Sequence, residues 1–279
     1  MDVLWLGEEA CADTRVAGGK AAALSRLAEA ASVPPGFTLG ADLHRRNVDR
    51  EGLLELVGAA YAELGRKVGS PAPPVAVRSS GVDEDGSASS FAGQHETFLN
   101  VRGEDAVTEA VLACWESART ERVASYRLAR GLDPVALMAV LVQQLVLADE
   151  AGVAFTIDPV AVDREVIVVN ASFGLGESVV SGSVSPDTYR VERRSMQIVQ
   201  RLVAHKAVMT VPHAQGVVEV PVPSLLRGEA VLRDAQVLAV AELALRLESL
   251  LGAPADIEYA FRDGHLHLLQ CRPITTARG

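Results

Sequence analysis

The stretch "ADIEYAFRDGHLHLLQCRP" (255–273) carries four residues whose types suit phosphate chemistry: Asp256, Glu258, Gln270 and Arg272. It reads as a hairpin, because Ile257, Tyr259 and Phe261 alternate with Asp256, Glu258 and Arg262 before the turn residues Asp263–Gly264. A two-residue turn would set Glu258 opposite Leu269. A three-residue loop or a bulged turn would set Glu258 opposite Gln270 and Asp256 opposite Arg272. The second register is favoured because it gathers one apolar face and one polar face. Glu258 and Gln270 then offer two adjacent hard oxygens, suited to Mg²⁺ carried on substrate phosphates. Arg272 can grip a phosphate with two parallel N–H donors. The plain alternative is an amphipathic hairpin closed by an Asp–Arg cross-strand pair.

Two further cations sit near small residues. Lys20 follows paired glycines at the start of a helix-forming run, where exposed amides and the helix dipole favour an anion; a surface lysine beside a glycine turn is the ordinary alternative. A Walker loop would need Gly at 14 and Ser or Thr at 21, where Thr14 and Ala21 stand. Arg78 closes the strand-like "VAVR", a position that calls for an anionic partner. That partner could be a ligand, or Asp83 or Glu84. The Ser/Gly/Ala run after it could fold over a phosphate chain, since small side chains let backbone amides approach. "SFGLGES" (172–178) is another glycine-rich turn, with Glu177 following its glycines, and "VQQLV" (142–146) is a strand whose edge backbone could read an adenine. The six histidines are scattered, with only His265 and His267 at ligand spacing, and no Gly-x-Ser-x-Gly elbow occurs, so neither a zinc centre nor an acyl-transfer serine is expected.

Helices are expected over residues 18–31, 51–68, 104–130 and 233–251, with prolines and glycines ending the first two. "LMAVLVQQLV", "AGVAFTIDPV" and "REVIVVNASFG" read as strands, with extended segments at "DTYRVERR" and "VVEVPVP". The organisation expected is an α+β fold with an N-terminal lobe over 1–135, a β-richer lobe over 136–279, and a ligand cleft between them.

Composition narrows the partners. Aromatics make up only 4% and the formal net charge is −10, so few bases could stack and a polyanionic backbone would be repelled. Nucleic acid and membrane are therefore not expected as partners. Cys11, Cys114 and Cys271 stand far apart, the acidic N-terminus lacks a signal-peptide pattern, and no long apolar run occurs. A cytoplasmic location is expected.

The ordered series "GGK", "VPPGF", "VRSSGVDEDGSASSFAGQHETFLNV", "VQQLV", "AGVAFTIDPV", "NASFGLGESVVSGSVSPDTY", "DIEY" and "LLQCRPIT" resembles the ATP-binding domain of phosphoenolpyruvate synthase, pyruvate phosphate dikinase and rifampin phosphotransferase. The resemblance runs from about Gly18 to Thr276. It implies a two-lobed ATP-grasp-like nucleotide-binding domain with ATP and Mg²⁺ as cofactors. Lys20 and Arg78 would contact phosphates beneath a cover running from Ser89 through Gly93 and Gln94 to Glu96. Gln143, Gln144, Leu145 and Val146 would line the adenine, with Glu177 near the ribose. Asp256 would belong to the cofactor site, Glu258 and Gln270 would hold Mg²⁺, and Arg272 would stabilise the phosphate in transfer. The implied reaction splits ATP to AMP, passes the β-phosphate to a histidine and releases the γ-phosphate. None of the six histidines lies in a phosphohistidine motif, so a separate histidine-bearing domain or protein and an acceptor-binding protein are the implied partners. Asn170 stands where an acidic residue is expected in many relatives. A kinase or ligase acting directly on a small molecule, or a non-catalytic ATP-sensing module, are the alternatives.

Overall fold

The structure, a computed structural model, describes residues 2–46, 48–82, 96–119, 137–161, 163–214 and 216–274. Ser89, Gly93 and Gln94 of the expected phosphate cover, the alternative partners Asp83 and Glu84, and the later part of the helix expected over 104–130 lie outside the described residues. The chain forms two compact units, Met1–Ala28 with Pro34–Leu145 and Glu29–Val33 with Val146–Gly279.

In the first unit, β1 (Val3–Trp5), β2 (Gly36–Leu39), β3 (Val75–Gly81), β4 (Thr97–Val101) and β5 (Met138–Gln144) form one sheet in the order β1-β2-β5-β3-β4. Every neighbouring pair is antiparallel. Helix α1 (Thr14–Leu27) is interrupted at Gly18, and α2 (Ala41–Arg46) is short. Helix α3 (Arg50–Val68) starts where the Asp49 side chain accepts from the Gly52 amide and stops at the left-handed Gly69. With α4 (Glu104–Ser117), α3 packs Leu53, Val57, Leu64, Val107, Val111 and Trp115 against Phe37, Val75, Val77 and Val142 of the sheet. Strand β5 lies past the lobe boundary at residue 135 read from the sequence, yet it is the middle strand of this sheet.

In the second unit, β6 (Glu150–Phe155), β7 (Val166–Phe173), β8 (Asp187–Glu192), β9 (Ile198–Leu202), β12 (Ala255–Arg262) and β13 (His265–Pro273) form an antiparallel sheet in the order β13-β12-β6-β7-β8-β9. A separate ribbon pairs β10 (Val208–Pro212) with β11 (Val217–Pro221). The short α5 (Glu177–Val180) lies over β6 and β7, and the long α6 (Asp234–Leu251) lies against β12, β13, β6, β7 and β8. The face toward α6 is apolar and closed: Ile257, Ala154, Val169, Tyr189 and Tyr259 are all fully buried. Segment Glu29–Val33 is tied to this unit because the Leu268 amide donates to the Ser32 carbonyl (2.9 Å) and Arg246 Nη1 donates to the Ala30 carbonyl (3.0 Å). No helix among the described residues is long and apolar enough to cross a membrane.

Candidate functional site

The β12–β13 hairpin turns on two residues, with Asp263 and Gly264 both at positive φ (51° and 77°), so Arg262 stands opposite His265 and Tyr259 opposite Leu268. The tight turn therefore forms, and by itself it would set Glu258 against Leu269. Between Glu258 and Tyr259 the register shifts, leaving Leu269 as a bulge; Glu258 then faces Gln270, and Asp256 faces Arg272. The favoured register holds, but the extra residue sits inside the ladder rather than in the turn. Burial explains it. Leu268 and Cys271 are both buried, and strict alternation would put residues three apart on opposite faces.

Arg272 Nε donates to Asp256 Oδ2 at 2.7 Å, with the arginine side chain 55% exposed and the aspartate 11%. Burial pushes the Asp256 carboxyl above its ordinary value, and the charge and hydrogen bond of Arg272 pull against it. Asp256 thus orients Arg272 from below while the guanidinium keeps a solvent-facing side. Glu258 is half-buried beside Gln270 on the same face. Among the described residues, no group of three or more His, Cys, Asp or Glu could hold a metal ion. A cation at this hairpin would draw on the Glu258 carboxylate and the Gln270 amide oxygen.

In the first unit, Lys20 and Arg78 are brought to the same strand. Gly18 sits at φ 74°, and a Cβ there would fall 2.1 Å from the Ser80 carbonyl oxygen, so only glycine lets α1 approach β3 so closely. Ser80 Oγ donates to the Ala17 carbonyl (2.9 Å) and accepts from the Ala21 amide (3.3 Å). Lys20 Nζ donates to the Ser79 carbonyl at 3.0 Å, one residue along β3 from Arg78. Arg78 is half-buried, opposite Thr97 on one side and Leu141 on the other.

The "VQQLV" strand corrects one expectation. It is not a sheet edge: Gln143 stands between Gly36 and Ala76, and Gln144 pairs with Val75. The Gln143 side chain is buried and donates to the Pro34 carbonyl (3.2 Å), while the Gln144 and Leu145 amides donate to the Pro35 and Pro74 carbonyls (both 2.8 Å). Two flanking strands take up the backbone of Gln143 and pair Gln144, and the strand ends there, before Leu145 and Val146. Val146 begins the second unit. Glu177 opens α5 with its side chain exposed, after a turn pinned by the Leu175 amide donating to the Thr210 carbonyl (2.9 Å).

Sequence reasoning missed a buried ion pair. Lys206 Nζ lies 2.6 Å from Asp187 Oδ1, with both side chains fully buried. Nothing in "SPDTY" or "AHKAV" signals it. It also missed that Asn170 Nδ2 donates to Thr188 Oγ1 at 2.7 Å across β7 and β8.

Residues 51–279 match the family described as the pyruvate phosphate dikinase AMP/ATP-binding domain. The chain belongs to this family. The chain is 36% identical over 319 residues to a probable phosphoenolpyruvate synthase of Methanocaldococcus jannaschii, covering 99% of this chain and 27% of that protein. It is 37% identical over 298 residues to rifampicin phosphotransferase of Streptomyces sviceus, covering 94% of this chain and 34% of that one. The chain thus spans about a third or less of the length of these relatives. Among solved structures, D-alanine–D-alanine ligase from Bacillus anthracis is similar at a TM-score of 0.41 and 12% identity, covering 96% of this chain and 59% of that one.

Proposed function

We propose that this chain is the ATP-dependent component of a dikinase-type phosphotransferase, built on an ATP-grasp-like plan. It binds Mg·ATP and splits it to AMP, with net transfer of the β-phosphate to a histidine of a separate domain or protein and release of the γ-phosphate to water or phosphate. The observation that carries this reading is the bulged register of β12–β13, which sets Glu258 beside Gln270 and Asp256 beside Arg272 in one hairpin.

Directly opposed residues of antiparallel strands have Cβ atoms about 5 Å apart, close enough for both side chains to reach one cation. One carboxylate and one amide oxygen suit Mg²⁺, which keeps waters and substrate phosphates in its remaining positions; bound there, it would neutralise charge on the phosphate chain. Arg272, held by Asp256, would meet negative charge as it builds on the phosphate in transfer. In the first unit, Lys20 and Arg78, brought to one strand, would offer positive charge to a phosphate. Phosphoryl transfer depends chiefly on such positioning and charge stabilisation. Adenine would lie against Gln144, Leu145 and Val146, since the Gln143 side chain is buried and bonded to the Pro34 carbonyl.

Incubation with Mg·ATP and a histidine-bearing partner, followed by anion-exchange resolution of the nucleotides, tests the reading. AMP, phosphate and a phosphohistidine are expected together. ADP as sole product would overturn it in favour of direct transfer to a small molecule. Binding of ATP with no turnover beside any partner would leave only a nucleotide sensor.

A further inference from the structure

The polar face of the second unit's sheet extends well beyond the hairpin. Strand pairing sets Gln270, Glu258, Val153, Asn170, Thr188 and Leu202 opposite one another in a single row across all six strands. Directly opposed residues project to the same side. The chain neighbours of Asn170, namely Val169 and Ala171, are fully buried on the α6 side, whereas Asn170 and Thr188 are half-buried with Glu258 and Gln270 on the other.

The 2.7 Å bond from Asn170 Nδ2 to Thr188 Oγ1 locks the two side chains together. It leaves an amide oxygen that accepts and a hydroxyl proton that donates, side by side and without charge. Val153 separates this pair from Glu258. At two strand spacings, roughly 10 Å, Asn170 is too far to share a metal with Glu258. A neutral pair is also a poor phosphate site. It matches a ligand group that both donates and accepts, as a hydroxyl does through a single oxygen. The distance is that between the terminal phosphates of a nucleoside triphosphate and its sugar. A second observation points to the same strands: α5, which begins with Glu177, lies over β6 and β7, where a Cβ on Gly176 would sit 3.4 Å from Ala151 Cβ.

We propose that Asn170 and Thr188 form a ribose-hydroxyl subsite: Asn170 Oδ1 accepts the sugar O–H, and Thr188 Oγ1–H donates to the sugar oxygen. The inference rests on the reading of Glu258 and Gln270 as the metal and phosphate site. The nucleotide then crosses the sheet along this row, phosphates over β12–β13 and sugar over β7–β8.

The test is calorimetric titration of the chain with Mg·ATP and with its 2′-deoxy and 3′-deoxy analogues. One analogue should bind the parent protein about 3- to 10-fold more weakly than ATP, the value of a neutral hydrogen bond or two. Asn170→Ala and Thr188→Val should weaken ATP by a similar factor and bring the ATP/deoxy ratio close to one, while Thr188→Ser should keep the ratio of the parent. Circular dichroism on the same samples checks that the sheet is intact. Unchanged ratios in the folded variants would overturn the subsite. So would a variant that keeps nucleotide discrimination but raises KM for a hydroxyl-bearing phosphate acceptor, since the hydroxyl then belongs to the acceptor. Glu258→Gln in the same titrations reads the underlying assignment separately. Loss of the Mg²⁺-dependent part of ATP affinity there, with Asn170→Ala silent, sinks the subsite alone; retention of it sinks the metal site.

Discussion

Replacing Lys206 by Met should destabilise the second unit more than any exposed substitution. The ammonium lies 2.6 Å from Asp187 Oδ1 and also donates to the Ala204 carbonyl at 2.8 Å, with Nζ 5.9 Å from the centre of the Phe173 ring. Asp187 in turn accepts from the Ala204 amide (2.9 Å), the Val231 amide (2.7 Å) and Tyr189 Oη (3.3 Å). This one carboxylate therefore ties β8 to the segments around 204 and 231. Methionine fills the lysine's volume but leaves the Asp187 charge buried without its counter-ion, a loss of about 3–5 kcal/mol for a buried pair broken on one side. Against a typical total of about 5–15 kcal/mol, this is a large fraction. It corresponds to a fall of about 10 °C in Tm for a chain of this size. Adding Asp187→Asn removes the stranded charge and orphans one amide, worth about 1–3 kcal/mol, so the double variant should be more stable than Lys206→Met alone. Urea unfolding followed by circular dichroism gives the energies. Hydrogen exchange should show faster exchange of the Ala204 and Val231 amides. A cost under about 1 kcal/mol for Lys206→Met, or a double variant worse than the sum of the singles, would refute this account.

Three other outcomes follow from local geometry. Gly152→Ala places a Cβ 1.8 Å from the Asn170 carbonyl oxygen and 2.9 Å from Tyr259 Oη, so the β6–β7 ladder must part; a loss above about 4 kcal/mol, or insoluble expression, is expected in the same unfolding assay. Gly18→Ala should lift the start of α1 away from Ser80 and shift Lys20 along β3, lowering ATP affinity about 10-fold or more in a protein whose far-ultraviolet spectrum is unchanged. His267, whose Nδ1 lies 3.2 Å from Ser32 Oγ, is held below the ordinary histidine value by burial and then by the neighbouring His265. Its neutral form is favoured in the folded state, so its contribution is complete above about pH 6.5 and is lost as the pH falls from there toward the depressed value. The urea midpoint should drop over that window in the parent protein and drop less in His267→Asn; equal drops would exclude His267 as the source.

Much of this protein was legible from residue order because its signals are local. Asp49 and Gly69 bound α3 through a side-chain cap and a left-handed stop, both written within a few residues of the helix ends. Alternation in 255–273 announced a hairpin with one polar face, and the motif series pointed to the nucleotide-binding family. The tertiary structure decided the rest, where the deciding partner is distant in sequence. Strand β5 reads as a possible edge until β2 and β3, from far earlier in the chain, close on both its sides. The bulge at Leu269 depends on Leu268 and Cys271 both seeking the buried face, which exists only once the sheet has packed. Segment Glu29–Val33 follows α1 in the chain, yet α6 and β13, more than 200 residues later, supply hydrogen bonds that hold it. Lys206 and Asp187 look like ordinary surface charges in the sequence. Only the completed sheet removes both from water, and burial is what turns two isolated charges into a single pair.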